Sequence, residues 1–289
     1  MAMRRMPPRR RKQRSSAGEP AGPVAAYKVH LPPSVAADLG RDHFAVLGLT
    51  GDVSVAQVIG RTGWWEPHVM EAIVRHLPPG GTFVDVGANI GVHSVLGALW
   101  VGSEGHVLAL EASPITHSVL AQNLAGTGCP GAVAVNVGVW NKLGPMRFRH
   151  LTSIVGGSHI TVTGKESPWD AQAFTVLCAP LDVLVNLAGL ERVDLIKIDV
   201  EGSEFQVLDG ARETLKRDRP ALILEYNSIT AQYFDGRSAA DLHQLVRDLG
   251  YRMTFLAPDL ASSDANDYQT LERIWNRGLR VLDVICLPD

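Results

Sequence analysis

A chain of 289 residues is long enough for one large α/β domain or two small ones, with a core that needs no disulfide or metal staples. With 46% hydrophobic and 20% charged residues, it cannot be a wholly disordered or collagen-like chain. The net charge of −3 is unevenly spread: residues 1–28 carry eight basic side chains against Glu19, so the remainder is strongly acidic and ill suited to tracking a phosphate backbone.

Nucleic acid is therefore a disfavoured partner. Pro7, Pro8, Pro20 and Pro23 break the amphipathic helix a transit peptide needs, and the apolar core of a secretory signal is missing. Residues 1–28 read as a basic disordered tail. The longest apolar stretch, Ile90 to Val101, is interrupted by His93, Ser94 and Gly97 and is too short for a bilayer. Cys129, Cys178 and Cys286 are far apart and form no C-x-x-C pair, as expected of reduced thiols in a cytoplasmic protein.

A lead-in over residues 29–63 contains an alternating stretch, Phe44 to Leu49, and the main domain is expected over 64–289. Val69, Ile73, Val74 and Leu77 fall at helical spacing from Glu66 onward, and Pro78 to Gly81 stop that helix. A buried strand follows at Thr82 to Val86, then a helix at Ile90 to Trp100 and a strand at His106 to Leu110. Ser113 and Pro114 read as the N-cap and first position of a helix reaching Leu124, with a third strand at Ala132 to Val139. Residues 141–178 break the rhythm and read as an insertion: β-like pieces at Met146 to His150 and Phe174 to Leu177 flank a loop with Gly156, Gly157, Gly164 and Pro168. Trp169 and Phe174 there suit either an apolar acceptor surface or local packing.

Alternation resumes with a strand at Val193 to Ile198. A helix with a capping-box pattern, Ser203 and Gln206, turns Phe205, Leu208, Ala211 and Leu215 inward. A strand at Ala221 to Glu225 and a helix striped by Leu242, Leu245, Val246 and Leu249 follow. Tyr251 to Leu256 and Val281 to Leu287 suit an appended antiparallel hairpin. Five buried strands alternating with helices imply a Rossmann-like parallel sheet covered on both faces, with ligands beyond the carboxyl ends of its strands.

The residues at those ends carry the chemistry. Gly87 and Gly91 permit a tight turn into a helix N-terminus, a place that favours an anionic group. Asn89 stands where a G-x-G-x-x-G loop needs glycine, and Asp85 would repel a pyrophosphate, so a nicotinamide cofactor is disfavoured relative to a ligand with ammonium and sulfonium groups. Glu111 closes the second strand where an acid can take both ribose hydroxyls of an adenosine. Gly138, Val139 and Trp140 end the third, the tryptophan serving either an adenine ring or the core. Asp199, Glu201 and Gly202 end the fourth, and Glu225 and Asn227 the fifth; so many acids on one edge call for a cationic ligand or a metal.

The runs FVDVGANIGVHS (Phe83 to Ser94), LEASP (Leu110 to Pro114), DLIKIDVEGSE (Asp194 to Glu204) and RPALILE (Arg219 to Glu225) resemble the FkbM family of S-adenosylmethionine-dependent methyltransferases over about Trp65 to Leu287. The resemblance implies a class I methyltransferase fold, a mostly parallel seven-stranded sheet with helices on both faces and an antiparallel C-terminal strand. It also implies O-methylation of a small natural product or sugar-containing metabolite. By motif, Asp85, Gly87, Asn89, Gly91 and Glu111 would hold the cofactor, Asp199 and Glu201 would border cofactor and acceptor, and Glu66 would lie near the methionine end. Gly156 to His159 resembles the family's glycine-serine loop, with His159 in place of the common serine.

The acceptor proton needs a base. Asp199 is the first choice, on a rigid strand end; His159 has the better-matched side chain; His93 reads as packing or solvent-facing. Asp199, Glu225 and Asn227 could hold magnesium and lower the acceptor's pKa, or could serve the cofactor ammonium directly. N-methylation, a nicotinamide-dependent oxidoreductase and a binding protein without turnover stay as alternatives. The oligomeric state is not legible.

Overall fold

The structure, a computed structural model, describes residues 23–161, 171–227, 238–260, 263–278 and 281–289. It opens with an antiparallel pair, β1 (Val24–His30) and β2 (His43–Leu49), joined through α1 (Pro33–Leu39). Val24 to Lys28, expected in the tail, are thus strand: their alternating burial matches a sheet with one face covered. Residues 1–22 of that expected tail lie outside the described residues. Next come α2 (Ala56–Thr62) and α3 (Pro67–His76).

The central element is β3 (Thr82–Val86), buried along its whole length, as its continuous apolar run demands of a strand covered on both faces. It is followed by α4 (Val92–Val101), β4 (His106–Glu111) and α5 (Pro114–Ala125). The expected cap of α5 is present, with Ser113 Oγ accepting from the Thr116 N–H. The stretch expected as one strand to Val139 divides: β5 (Ala132–Asn136) joins the main sheet, and β6 (Gly138–Val139) turns away into a second one.

The expected insertion folds around that second sheet, in the order β6-β9-β7-β8, with β7 (Gly144–Leu151), β8 (His159–Thr161) and β9 (Ala171–Ala179). Phe174 packs against its small core of Trp140, Phe148, Ile160, Val176 and Cys178, while Trp169 lies outside the described residues. The chain returns through α6 (Leu181–Leu187), β10 (Leu195–Ile198), α7 (Glu204–Asp209), α8 (Arg212–Asp218) and β11 (Ala221–Asn227).

Ser203 makes no capping hydrogen bond, a correction to the expected capping box; Glu204 instead reaches back to bond the N–H groups of Gly202 and Val200. A capping box does form at Ser238 and Asp241, opening α9 (Ala239–Asp248). The final strands, β12 (Tyr251–Phe255) and β13 (Val281–Pro288), are antiparallel neighbours but no simple hairpin. Between them lies α10 (Tyr268–Asn276), capped by Asp267, with Leu271, Ile274 and Trp275 buried at helical spacing.

The main sheet runs β12-β13-β11-β10-β3-β4-β5, parallel from β11 to β5 and antiparallel at β13, the strand order of a class I methyltransferase fold. Helices cover both faces over two apolar clusters. The order reverses between β3 and β10, so the carboxyl ends of these two strands define the crevice where a ligand can lie. No helix among the described residues is long and apolar enough to cross a membrane.

Candidate active site

A cavity of about 310 Å³ opens at that crevice, within the size range of small-molecule sites, about 300–1,000 Å³. Its floor is the turn after β3. Gly87 sits at φ 79°, and a Cβ there would lie 1.8 Å from the Asp199 carbonyl oxygen, so only glycine lets this turn pass against the end of β10.

The N–H groups of the turn are all used internally. Gly87 and Ala88 donate to the Leu110 carbonyl (3.0 and 3.1 Å), Asn89 to Glu111 Oε2 (2.9 Å), Ile90 to Asn89 Oδ1 (2.7 Å) and Gly91 to the Ala88 carbonyl (2.9 Å). The expectation of an anionic group on this turn is therefore corrected: a carboxylate of the protein already occupies it, and a pyrophosphate would meet Glu111 instead of free donors.

Glu111 is buried and accepts from Ser113 N–H through Oε1 at 2.8 Å. Burial pushes its carboxyl up to about 7, opposed by the two backbone N–H groups it accepts. Each oxygen keeps a further lone pair, so the fixed carboxylate can receive a vicinal pair of hydroxyls. Gly138 and Val139 continue this wall, and a Cβ at Gly138 would meet Cys178 Sγ at 2.6 Å. Trp140 belongs to the core of the small sheet and offers no face to an adenine.

Two residues expected at the cofactor stand behind the wall. Gly91 lies against Leu120. Asp85, 1% exposed, accepts from Ser94 Oγ at 2.5 Å while its Oδ1 has no hydrogen-bond partner. Its charge is compensated by Lys197, 4% exposed, whose Nζ donates to Asp199 Oδ2 at 2.8 Å. No motif singles out this lysine as a functional group, although a lone charge inside the apolar strand Leu195–Ile198 is a visible signal that a buried partner must exist.

The acids of the far wall gather as the sequence suggests, with one exchange. Carboxylate oxygens of Asp199, Glu201 and Glu225 lie within 4.8 Å of one another, whereas Asn227 directs its amide N–H toward Glu201 Oε2 at 3.4 Å. The expected ligand set of Asp199, Glu225 and Asn227 is thus replaced by three carboxylates, which suit a divalent ion or an organic cation alike. Burial, with Asp199 and Glu204 adding repulsion, pushes Glu201 up to about 8. Asp199, the first choice of base, already accepts from Lys197 Nζ.

Glu66 and His93 complete this end. Glu66 adopts φ 39° at the N-terminus of α3, and burial pushes its carboxyl up to about 8 against the opposing pull of Lys197. His93, 5% exposed, places Nε2 at 3.6 Å from Glu66 Oε2, with no hydrogen-bond partner for that nitrogen. Burial, helped by Lys197 and His68, holds the imidazole well below its ordinary range. Among the described residues, four non-glycines have positive φ, and three of them, Glu66, Asn89 and Glu201, line this cavity, the concentration of backbone strain expected of a functional site.

The small sheet and the lead-in close the opposite side. His159 lies on β8, its Nδ1 3.0 Å from the Gly157 carbonyl, and stands outside the acidic cluster. Burial lowers its pKa. Asp52, 1% exposed, accepts from the N–H groups of Ser54, Val55, Ala56 and Val155, and Ser54 Oγ accepts from Gly156 N–H at 3.0 Å. This clamp ties the lead-in to the Gly156-Gly157 loop and brings Ser54 and Val55 into the cavity wall, a contribution that no motif announces.

Residues 85–253 match the methyltransferase FkbM domain, more than half of the chain. The chain belongs to the FkbM methyltransferase family. It is 30% identical over 166 residues to the methyltransferase sdnD of Sordaria araneosa, covering 48% of this chain and 64% of that protein. It is 23% identical over 189 residues to the hexuronic acid methyltransferase AglP of Haloferax volcanii, covering 63% of this chain and 74% of that one. The solved FkbM methyltransferase of Methylobacillus flagellatus superposes with a TM-score of 0.43 at 16% identity, covering 80% of this chain and 60% of that one. In this FkbM protein Gly87, Glu111, Asp199 and Glu225 fall inside the matched segment, while Ser54, Trp65 and Glu66 reach the same cavity from outside it.

Proposed function

We propose that this FkbM-family protein is an S-adenosylmethionine-dependent O-methyltransferase acting on a hydroxyl of a small natural product or sugar-containing metabolite, in the cytoplasm. The observation that carries the cofactor class is the Glu111 carboxylate bonded across the glycine turn. It suits a ribose diol and opposes the pyrophosphate of a nicotinamide dinucleotide. Glu111, Gly87, Asn89, Gly138 and Val139 would hold the adenosine, and Asp199 and Glu66 would border the sulfonium end, where surplus negative charge favours a cation. When bound, the cofactor supplies an electrophilic methyl group; the protein positions the acceptor in line with it and manages one proton. The hexuronic acid named for the AglP relative supports a sugar-containing acceptor.

The crowding of Asp199, Glu201 and Glu225 supports a second reading, an acceptor whose amine is held and methylated there. Calorimetric titration with S-adenosylhomocysteine, with NAD and with Glu111→Ala tests the first. Binding of the homocysteine compound that weakens about a hundredfold in the variant is the expected result. Binding of NAD alone would replace the reading. Turnover of hydroxylated against amine-bearing acceptors, with and without magnesium, then separates the acceptor classes and the role of the acidic cluster.

A further inference from the structure

Glu66 lies outside the matched family segment, yet it is the acid of the cavity backed by a buried, unpartnered base. Its side chain is 25% exposed, within reach of a bound molecule, and His93, 5% exposed, stands behind it. Glu66 opens α3 in a strained left-handed backbone, at φ 39°. In the first turn of α3, His68 is anchored to Asp283 of β13 at 2.7 Å, which pins the start of the helix to the sheet. Resting on the methyltransferase reading above, we propose that Glu66 is the proton acceptor of methyl transfer and that His93 Nε2 is its positioning partner.

The chemistry balances without a metal. As the acceptor oxygen bonds the methyl carbon, the carbon–sulfur bond breaks and its electron pair stays on sulfur. The hydroxyl proton passes to the Glu66 carboxylate, and rotation of the neutral carboxyl then closes the 3.6 Å gap so that its O–H donates to His93 Nε2. A cationic sulfonium and an anionic carboxylate become a thioether and a carboxylic acid. The surroundings of Glu66 suit a proton acceptor. Lys197 and His68 favour the ionised carboxylate, while burial, Asp199 and Asp283 oppose it, leaving Glu66 at about 8, where it is a far stronger base than an ordinary carboxylate. His93 faces Glu66, Lys197 and His68 and stays neutral, and its Nε2 has no hydrogen-bond partner.

No acceptor is needed to test this. Sinefungin carries an amine where the transferable methyl stands, and S-adenosylhomocysteine carries nothing there, so the ratio of their affinities reads the group that faces the methyl. In the unaltered protein this ratio should rise between about pH 7 and 9 as Glu66 ionises. Glu66→Gln should flatten the profile and cost sinefungin about tenfold while leaving S-adenosylhomocysteine within about threefold, which also shows that the variant is folded. His93→Phe should move the midpoint of the rise downward, because the neutral carboxyl loses its acceptor. Equal losses of both ligands in Glu66→Gln would make Glu66 a ligand of the methionine end, and a pH-independent ratio in the unaltered protein would equally overturn the proposal. Failure of both compounds to bind the unaltered protein would instead remove the methyltransferase reading.

Discussion

At the Glu111 end of the cavity, the turn N–H groups and both carboxylate oxygens are bonded within the protein, whereas at the Glu66 end His93 Nε2 and Glu225 Oε1 are buried without hydrogen-bond partners. The first end is a finished scaffold whose geometry exists before any ligand arrives. The second holds crowded acids, one buried lysine and strained backbone, groups whose costs are offset only by the fold around them. On the proposed reading, binding would rest on settled hydrogen bonds and chemistry on unsettled ones.

The most severe way to break this contrast is Lys197→Ala. Removing the cation leaves Asp85 and Asp199 without their buried partner and should cost about 3–5 kcal/mol, read by denaturant unfolding. Gly87→Ala attacks the scaffold instead: the added Cβ meets the Asp199 carbonyl in a left-handed backbone, and about 3 kcal/mol of stability should go together with binding of S-adenosylhomocysteine.

Acidity sharpens the comparison. Glu111 and Glu204 ionise at about 7 when folded against an ordinary value of 4.5, so the unfolded chain releases their protons first as pH rises. The stability they confer is complete below about pH 4.5 and is lost as pH rises through about 7, about 3 kcal/mol for each group. Glu204→Gln should flatten that slope in unfolding curves collected across the window. The smallest effect belongs to the clamp. Asp52→Asn keeps the shape but turns one of the two accepting oxygens into an N–H donor, leaving backbone N–H groups unpaired, costing about 1–2 kcal/mol and raising hydrogen exchange at Val155 and Gly156 before anything at β3.

Much of the site was legible in the chain. Gly87, Glu111, Asp199, Glu201 and Glu225 could be assigned to one edge because each follows a run of buried residues, and parallel strands end on a common side. The division of β5 from β6 was not, since the apolar alternation continues through Val137 while the hydrogen bonding changes sheets. Helix α10 is not legible in the chain although Asp267, Leu271, Ile274 and Trp275 spell a capped amphipathic turn, because an apparent hairpin between two strand candidates leaves it no place.

The sequence by itself determined the alternating strands and helices, the seat of the glycine turn and the family, all of which depend on local periodicity and contiguous motifs. Only the tertiary structure decided which turn N–H groups were already spent, that Asp85 stands behind the wall with Lys197, that Asn227 faces Glu201 as a donor, and that Glu66, His93 and the Asp52 clamp meet at one cavity. Those outcomes depend on side chains brought together from distant segments, where burial and the competition for hydrogen-bond partners, not spacing along the chain, set what each group can do.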